Sequence, residues 1–325
     1  MSVASYFSSL SLVRLLNNMP GGIAQGLLWG LMALGVYISF RLLNAADMTV
    51  DGSFTLGGAV AVMLILAGCP AWLAVLVAAA AGALAGLVTG FLHVKLGIPI
   101  ILAGILTQFS LYSINLHVMG MAANKAISVD KFHLLLSSRN IPAAIVTGAV
   151  IAVVLIVFFY WYFGTEQGCA IRATGSNRAM SSALGIDVGA MTILGLSVSN
   201  AVVALSGGLM AQYQGFADIN MGRGSIVIGL AAIIIGEVVA KLLSKTYLGK
   251  HLNFLCIMLS VVAGGIVYYL VVVLVLWLRL NSNDLKLITA VIVALFLAIP
   301  YLREQRVSSF GRKREKAGRK EGASC

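Results

Sequence analysis

The chain alternates between long apolar stretches and short polar segments, and most of the apolar stretches are near the length that crosses a bilayer. In a helix, about 20 apolar residues span the roughly 30 Å hydrocarbon core. Because unsatisfied backbone groups are very costly in lipid, uncharged stretches of this length are expected to be helical. The pattern predicts an all-α polytopic membrane protein with about nine spans, within a range of eight to ten. These lie near residues 21–40, 53–69, 71–94, 98–118, 141–163, 189–212, 225–244, 253–279 and 284–301.

Composition agrees with a membrane location. Hydrophobic residues make up 60% of the chain and charged residues only 10%, which excludes a soluble enzyme, because soluble domains carry about 25% charged residues. The net charge of +11 does not indicate nucleic-acid binding, because eight of the 22 basic residues lie in one terminal segment. We interpret 302–325 as a basic cytoplasmic tail in contact with membrane lipid, and 1–20 as an amphipathic lead-in.

Basic residues also predict the orientation, since they accumulate on the cytoplasmic side of a membrane. With nine spans and a cytoplasmic carboxyl terminus, the amino terminus lies outside. This arrangement places 15 basic residues in cytoplasmic segments and seven in external ones. We therefore expect a multi-pass protein with an external amino terminus and a cytoplasmic tail.

Two rows of glycines predict close helix–helix contacts. They have the pattern GxxxGxxxG, in the first span at Gly22, Gly26 and Gly30 and in the third span at Gly82, Gly86 and Gly90. Small residues at this spacing let neighbouring backbones approach each other. The alternative explanation is a general richness in glycine, of which the chain has 35 residues.

Two similar segments predict an internal repeat. DGSFTLGGAVAV at 51–62 and RGSIVIGLAAII at 223–234 match at the Gly-Ser pair, at Gly57 with Gly229 and at Ala59 with Ala231. The two segments open the second and the seventh span. Because five spans is an odd separation, the copies have opposite orientations, and spans one to four would mirror spans six to nine. Asp and Ser at these positions can also be explained as helix caps, and both explanations can hold together.

The polar segment 164–188 interrupts the hydrophobic pattern after the fifth span. Thr174, Ser176 and Asn177 can cap a helix over 178–184, and Gly185 can end it. We therefore predict a short helix on the cytoplasmic face, fixed between two spans. Such a helix is suited to insertion into a groove of a partner protein.

Three stretches resemble permease subunits of ABC importers in the branched-chain amino acid and ribose permease superfamily. RATGSNRAMSSALGID resembles the coupling-helix motif of these permeases. DMTVDGSFTLGGAVA and IGLAAIIIGEVVA resemble the subgroup associated with amino acid uptake, including aromatic amino acids. The resemblance covers about residues 20–300 and implies a type II-like importer permease fold in a bacterial cell membrane.

The resemblance implies a transport subunit without catalysis of its own. Two permeases, forming a homodimer, would line the pathway, two cytoplasmic ATPases would bind ATP and Mg²⁺, and an extracytoplasmic lipoprotein would deliver the solute. The chain itself has no GxxxxGK[ST] phosphate loop, and we expect no cofactor or metal in it. The residues that would contact the ATPase are Arg172, Thr174, Gly175, Asn177, Arg178, Ala183 and Gly185.

Polar side chains inside spans are candidates for the solute pathway, because they are costly in lipid. Gln108, Tyr112 and Asn115 follow each other at i, i+4 and i+7 and so share one face of the fourth span. Hydrogen bonds between helices would explain the same residues equally well. Ser199, Asn200 and Ser206 in the sixth span form a looser cluster with the same two interpretations.

Acidic residues near the spans also allow two interpretations. Glu237 lies in the seventh span one turn from Lys241, which favours an i, i+4 ion pair over a proton-coupling site. Asp47 and Asp51 flank the entrance to the second span, where helix capping and gating are both open. We include Asp51 and Ser53 among the pathway candidates.

The resulting hypothesis is uptake of a branched-chain or aromatic amino acid, or a similar small solute, by alternating access driven by a partner ATPase. An ion-coupled secondary transporter would explain nine spans and an inverted repeat equally well. An ABC permease for sugars or nucleosides is a further alternative. A membrane enzyme is disfavoured, because no paired carboxylates, histidine cluster or nucleophile shares a common face.

Overall fold

The computed structural model describes residues 12–128, 131–244 and 254–277, together with Val291 and Ala294. Most of these residues are helical, in agreement with the predicted all-α class. Their ten helices are α1 (Leu12–Tyr37), α2 (Val50–Leu66), α3 (Ala71–Val94), α4 (Ile100–Val118), α5 (Ile141–Tyr162), α6 (Glu166–Ser176), α7 (Arg178–Ala183), α8 (Val188–Gln214), α9 (Ser225–Ser244) and α10 (Phe254–Trp277). A π-helical turn, Ile38–Leu42, extends the first helix.

Six helices in the described ranges are long and apolar enough to cross a membrane, namely α1, α3, α4, α5, α8 and α10. Two further apolar helices, α2 and α9, coincide with the predicted second and seventh spans. Their apolar stretches, Val50–Leu66 and Ser225–Ala240, are no longer than 17 residues and are therefore shorter than those of the six spanning helices. The predicted ninth span, 284–301, and the basic tail, 302–325, lie outside the described ranges. The first helix begins at Leu12, so it already includes the last part of the predicted lead-in.

Both glycine rows lie at helix–helix contacts, as the packing hypothesis predicts. The row on α1 faces α10, where a Cβ atom at Gly26 would lie 2.7 Å from the Cα atom of Ile266. The row on α3 faces α8, where a Cβ atom at Gly90 would lie 2.8 Å from the Cα atom of Ile193. No Cβ contact this short is sterically acceptable, so larger residues would force these helices apart.

Burial differs strongly between the central and the outer helices. Nearly all of α1 from Ala24 to Tyr37 is buried, and α2 is buried along most of its length. In contrast, α5 presents a continuous exposed apolar face that includes Val150, Val154 and Val157. This face is suited to contact lipid or another protein chain.

A short antiparallel ribbon joins two connecting segments, and the sequence pattern did not predict it. Strand β1 (Asn124–Ala126) pairs with β2 (Phe216–Asp218), with Lys125 opposite Ala217. Strands of three residues are too short to show an alternating pattern of polar and apolar residues. The ribbon ties the α4–α5 connection to the segment that precedes α9.

Candidate functional site

The amino-terminal turns of α2 and α9 meet, and Asp51 joins them. Its Oδ1 atom accepts hydrogen bonds from the Ser225 hydroxyl at 2.8 Å and the Ile226 amide at 3.0 Å, and its Oδ2 atom accepts one from the Gly224 amide at 2.9 Å. A carboxylate at the positive end of a helix dipole is stabilising. Asp51 therefore caps α9, although its own position in the sequence is the first turn of α2.

The segment that leads into α9 lies directly against the first turns of α2. The Gly222 amide donates a hydrogen bond to the Thr55 hydroxyl at 3.1 Å. A Cβ atom at Gly222 would collide with the carbonyl oxygen of Asp51. Glycine is thus required here because two backbones approach each other too closely for a side chain.

A cavity of about 620 Å³ opens beside this junction. Helices α2 and α4 and the segment before α9 form its wall. The lining residues are Asp51, Gly52, Thr55, Gln108, Phe109, Tyr112, Asn115, Ile219 and Arg223.

Four of the predicted pathway residues meet at this cavity, namely Asp51, Gln108, Tyr112 and Asn115. The predicted face of α4 is therefore one of its walls. Arg223 was not predicted, although its alignment with Asp51 in the internal repeat was a usable signal. Phe109 was missed because an apolar side chain in a span looks the same whether it faces lipid or a cavity.

The chemistry of the cavity is mixed. The buried Asn115 side chain donates through Nδ2 to the Gly52 carbonyl at 3.3 Å, whereas its Oδ1 atom finds no hydrogen-bond partner among the described residues. The Arg223 side chain is exposed, and no carboxylate within the described ranges pairs with it. Phe109 and Tyr112 add aromatic surface.

The other three predicted pathway residues lie in the interior packing instead of the cavity wall. Ser53 donates to Oδ1 of Asn200 at 2.7 Å, and Nδ2 of Asn200 donates to Oδ2 of Asp47 at 2.6 Å. Ser199 donates to the Gly35 carbonyl at 2.8 Å. All of these side chains are buried, and their hydrogen bonds connect α8 to α1, α2 and the segment before α2.

Asp47 is the centre of this buried network. Its Oδ1 atom accepts a hydrogen bond from the Thr49 amide at 2.8 Å, and the Thr49 hydroxyl lies 2.7 Å from that of Thr89 on α3. Burial raises the pKa of the Asp47 carboxyl, against the opposing effect of the hydrogen bonds from Thr49 and Asn200. The network fixes segment 43–49 between the helices.

The polar segment after the fifth span forms two helices. Asn177 ends α6 and caps α7, since its Oδ1 atom accepts a hydrogen bond from the Met180 amide at 3.0 Å. Gly185 follows α7 with a positive φ of 83°. The predicted short helix is thus confirmed. Thr174, one of its three predicted caps, is buried inside α6 instead.

The two helices of this segment differ in exposure. In α6, Gly175 lies so close to the Leu42 carbonyl that a Cβ atom would collide with it, and the Arg172 guanidinium lies 5.3 Å from the centre of the Phe254 ring. In contrast, α7 and the turn after it are exposed except for Ser181. The exposed residues include Arg178, Met180, Ala183, Leu184 and Gly185.

Glu237 forms an ion pair with Arg41, at the end of the π-helical turn, with 2.5 Å between Oε2 and the guanidinium nitrogen. The sequence did not indicate this pair, because the two residues are 196 positions apart in the chain. The Lys241 side chain lies outside the described part of the structure, so the predicted pair of Glu237 with Lys241 stays a prediction. In the described ranges, no three His, Cys, Asp or Glu side chains are grouped so as to hold a metal ion.

Comparison with known proteins identifies related permeases. A family model described as branched-chain amino acid transport system, permease component, matches residues 18–300. The tyrosine transport system permease protein of Clostridioides difficile (strain R20291) is 38% identical over 276 residues, which cover 85% of this chain and 89% of the relative.

Two further relatives are less similar to this chain. An uncharacterised protein of Rickettsia prowazekii (strain Madrid E) is 32% identical over 287 residues, which cover 87% of this chain and 98% of the relative. The ribose import permease protein of Escherichia coli (strain K12) is 25% identical over 225 residues, which cover 68% of this chain and 69% of the relative. No solved structure matches the chain significantly.

Proposed function

Because the chain belongs to the family of permease components of branched-chain amino acid transport systems, we propose that it is the transmembrane subunit of an ABC importer for an amino acid. The observation that carries the proposal is α7, a short exposed helix that is held in place by an asparagine cap, by a left-handed glycine and by α6, which packs against the π-helical turn through Gly175. A rigid exposed helix of this kind is suited to insertion into a groove of a partner.

The partner of α7 is a cytoplasmic ATPase, which binds ATP and Mg²⁺. Gly175 packs α6 against the π-helical turn that follows α1, and the Arg172 guanidinium lies over Phe254 of α10. Thr174 is buried in α6. The exposed residues of α7, Arg178 first among them, contact the ATPase. Two copies of the permease, each with one ATPase, form the transporter, and an extracytoplasmic lipoprotein delivers the solute. The chain spans a bacterial cell membrane with its amino terminus outside and its carboxyl terminus in the cytoplasm.

The chain consists of two inverted repeats, spans one to four and spans six to nine, and alternating access takes place between them. The matched glycines of the repeat make related contacts, because Gly57 on α2 packs against Ala204 of α8, whereas Gly229 on α9 packs against Val36 of α1. Likewise, α1 packs along α10 as α3 packs along α8. ATP binding draws the two α7 helices together and shifts the population of outward-facing and inward-facing states.

The solute is an aromatic or branched-chain amino acid. The relative named as a tyrosine transport permease supports this choice, as do the two aromatic side chains in the cavity wall. A sugar is the second candidate, which the ribose import relative favours. Uptake assays with both classes of solute distinguish the two.

A reconstitution experiment tests the proposal. The permease, its cognate ATPase and its binding protein are placed in vesicles, and we expect uptake that requires ATP. Arg178→Glu should lower uptake and ATPase association by at least about tenfold, since a reversed charge at an interface costs several kcal/mol.

Lys131→Glu is the matched control, because Lys131 is exposed in the α4–α5 connection and lies on the opposite face of the proposed topology. It should leave ATPase association unchanged. Full uptake by Arg178→Glu would contradict the role of α7. Uptake by the permease alone, driven by a sodium or proton gradient, would identify a secondary transporter instead.

A further inference from the structure

Two polar groups border the cavity beside the α2–α9 junction and have no protein partner among the described residues. One is Oδ1 of Asn115, a buried acceptor, and the other is the exposed guanidinium of Arg223, which pairs with no carboxylate in the described ranges. Buried polar atoms in native structures are almost always hydrogen-bonded, so an orphaned acceptor in a cavity wall points to a ligand that donates to it. The exposed guanidinium of Arg223 is in turn available to a negatively charged ligand.

These two groups are suited to different parts of a ligand, one negatively charged and one a hydrogen-bond donor. Arg223 offers up to five N–H donors and a positive charge, which fit a carboxylate in a bidentate geometry. Asn115 offers an oxygen that accepts a hydrogen bond, which fits an ammonium or amide donor. Asp51 also lines the cavity but forms no ion pair with Arg223, and its carboxylate accepts three hydrogen bonds from the start of α9.

The rest of the cavity is suited to an apolar or aromatic side chain. Phe109, Tyr112 and Ile219 supply the apolar surface, and Gln108 and Thr55 add two polar groups. Aromatic rings that face each other contribute beyond the area they bury. A volume of about 620 Å³ lies within the range of small-molecule pockets, roughly 300–1,000 Å³.

We propose that this cavity is a binding site within the permease for the zwitterionic head group of an α-amino acid. Arg223 pairs with the substrate carboxylate, Asn115 Oδ1 accepts a hydrogen bond from the substrate ammonium, and Phe109 and Tyr112 contact the substrate side chain. The inference rests on the proposed function and deepens it, because the permease then selects the solute class independently of the binding protein. A neutral sugar would leave the guanidinium without a negative partner.

Protection of an engineered cysteine tests the site in the absence of transport. In a full-length chain without its four native cysteines, Phe109→Cys provides a thiol in the cavity wall for a small cationic methanethiosulfonate reagent. We expect L-phenylalanine to slow labelling in a saturable manner. Phenethylamine, which lacks the carboxylate, and ribose should protect only at concentrations at least about tenfold higher, as the loss of a charge-assisted hydrogen bond predicts. Equal protection by phenethylamine, or none by L-phenylalanine, would overturn the proposal.

Uptake by the assembled transporter supplies the second test. Arg223→Gln should lower uptake of L-phenylalanine by about tenfold or more, whereas Arg223→Lys should restore part of it. Lys131→Gln removes the same charge from the exposed α4–α5 connection and should have no effect. Unchanged uptake by Arg223→Gln would refute the site but not the transport function. An absence of ATP-dependent uptake in the wild type, with L-phenylalanine still protecting the cysteine, would refute the transport function but not the site.

Discussion

On α4, the polar face of Gln108, Tyr112 and Asn115 borders a cavity, whereas on α8 the polar residues Ser199 and Asn200 are buried among other helices. In the sequence, both are polar groups inside apolar spans. The difference lies in their neighbours, because Asn200 meets Asp47 and Ser53, while Oδ1 of Asn115 meets no described donor. When another helix satisfies the hydrogen bonds of a polar side chain in a span, that side chain therefore stabilises helix packing. When an atom of the side chain is left without a partner, it is available to bind a solute.

The largest effect on stability is expected at Asn200. Asn200→Ala would leave one oxygen of Asp47 and the Ser53 hydroxyl without their partners in a buried site. Because a buried polar group that loses its hydrogen-bond partner costs about 1–3 kcal/mol and two such groups are affected, we expect a loss of about 3 kcal/mol in the free energy of unfolding. Thermal unfolding of the purified permease measures it. A melting temperature equal to the wild type would show that the network on α8 does not hold the helices together.

Gln108 should show the opposite behaviour. Within the described ranges its side chain makes no hydrogen bond, and it borders the cavity. Gln108→Leu is therefore expected to change the free energy of unfolding by less than about 0.5 kcal/mol. It should lower the rate of solute uptake by about two- to tenfold, as the loss of one hydrogen bond predicts. A destabilised variant with normal uptake would show that Gln108, like Asn200, stabilises helix packing and does not contact the solute.

At Ser199 we expect a smaller loss of stability than at Asn200, and no change in uptake. Its hydroxyl donates a single hydrogen bond to the Gly35 carbonyl, and Ser199→Ala removes that donor. The expected loss is about 1 kcal/mol in the free energy of unfolding, with uptake per folded molecule unchanged. Thermal unfolding and uptake assays on the same preparation test both parts. A loss of uptake without a loss of stability would instead indicate that Ser199 contributes to the solute pathway.

Several features were readable from the sequence because they depend on local chemistry. A run of apolar residues long enough to cross the bilayer predicts a helix wherever it lies, and the first eight predicted stretches each contain one. The ends of α7 were readable for the same reason, since Asn177 and Gly185 act within one turn of the backbone. The face of α4 that borders the cavity followed from helical spacing alone.

Tertiary structure decided which distant groups meet. Asp51 caps α9 across 174 positions of the chain, and Glu237 pairs with Arg41 across 196. A hydrogen bond or an ion pair depends on distances of a few ångströms, and helix packing sets those distances far along the chain. The sequence by itself therefore determined the helices, the local cap of α7 and the polar faces. Only the packing of the helices decided whether a polar face meets another helix, as on α8, or a cavity, as on α4.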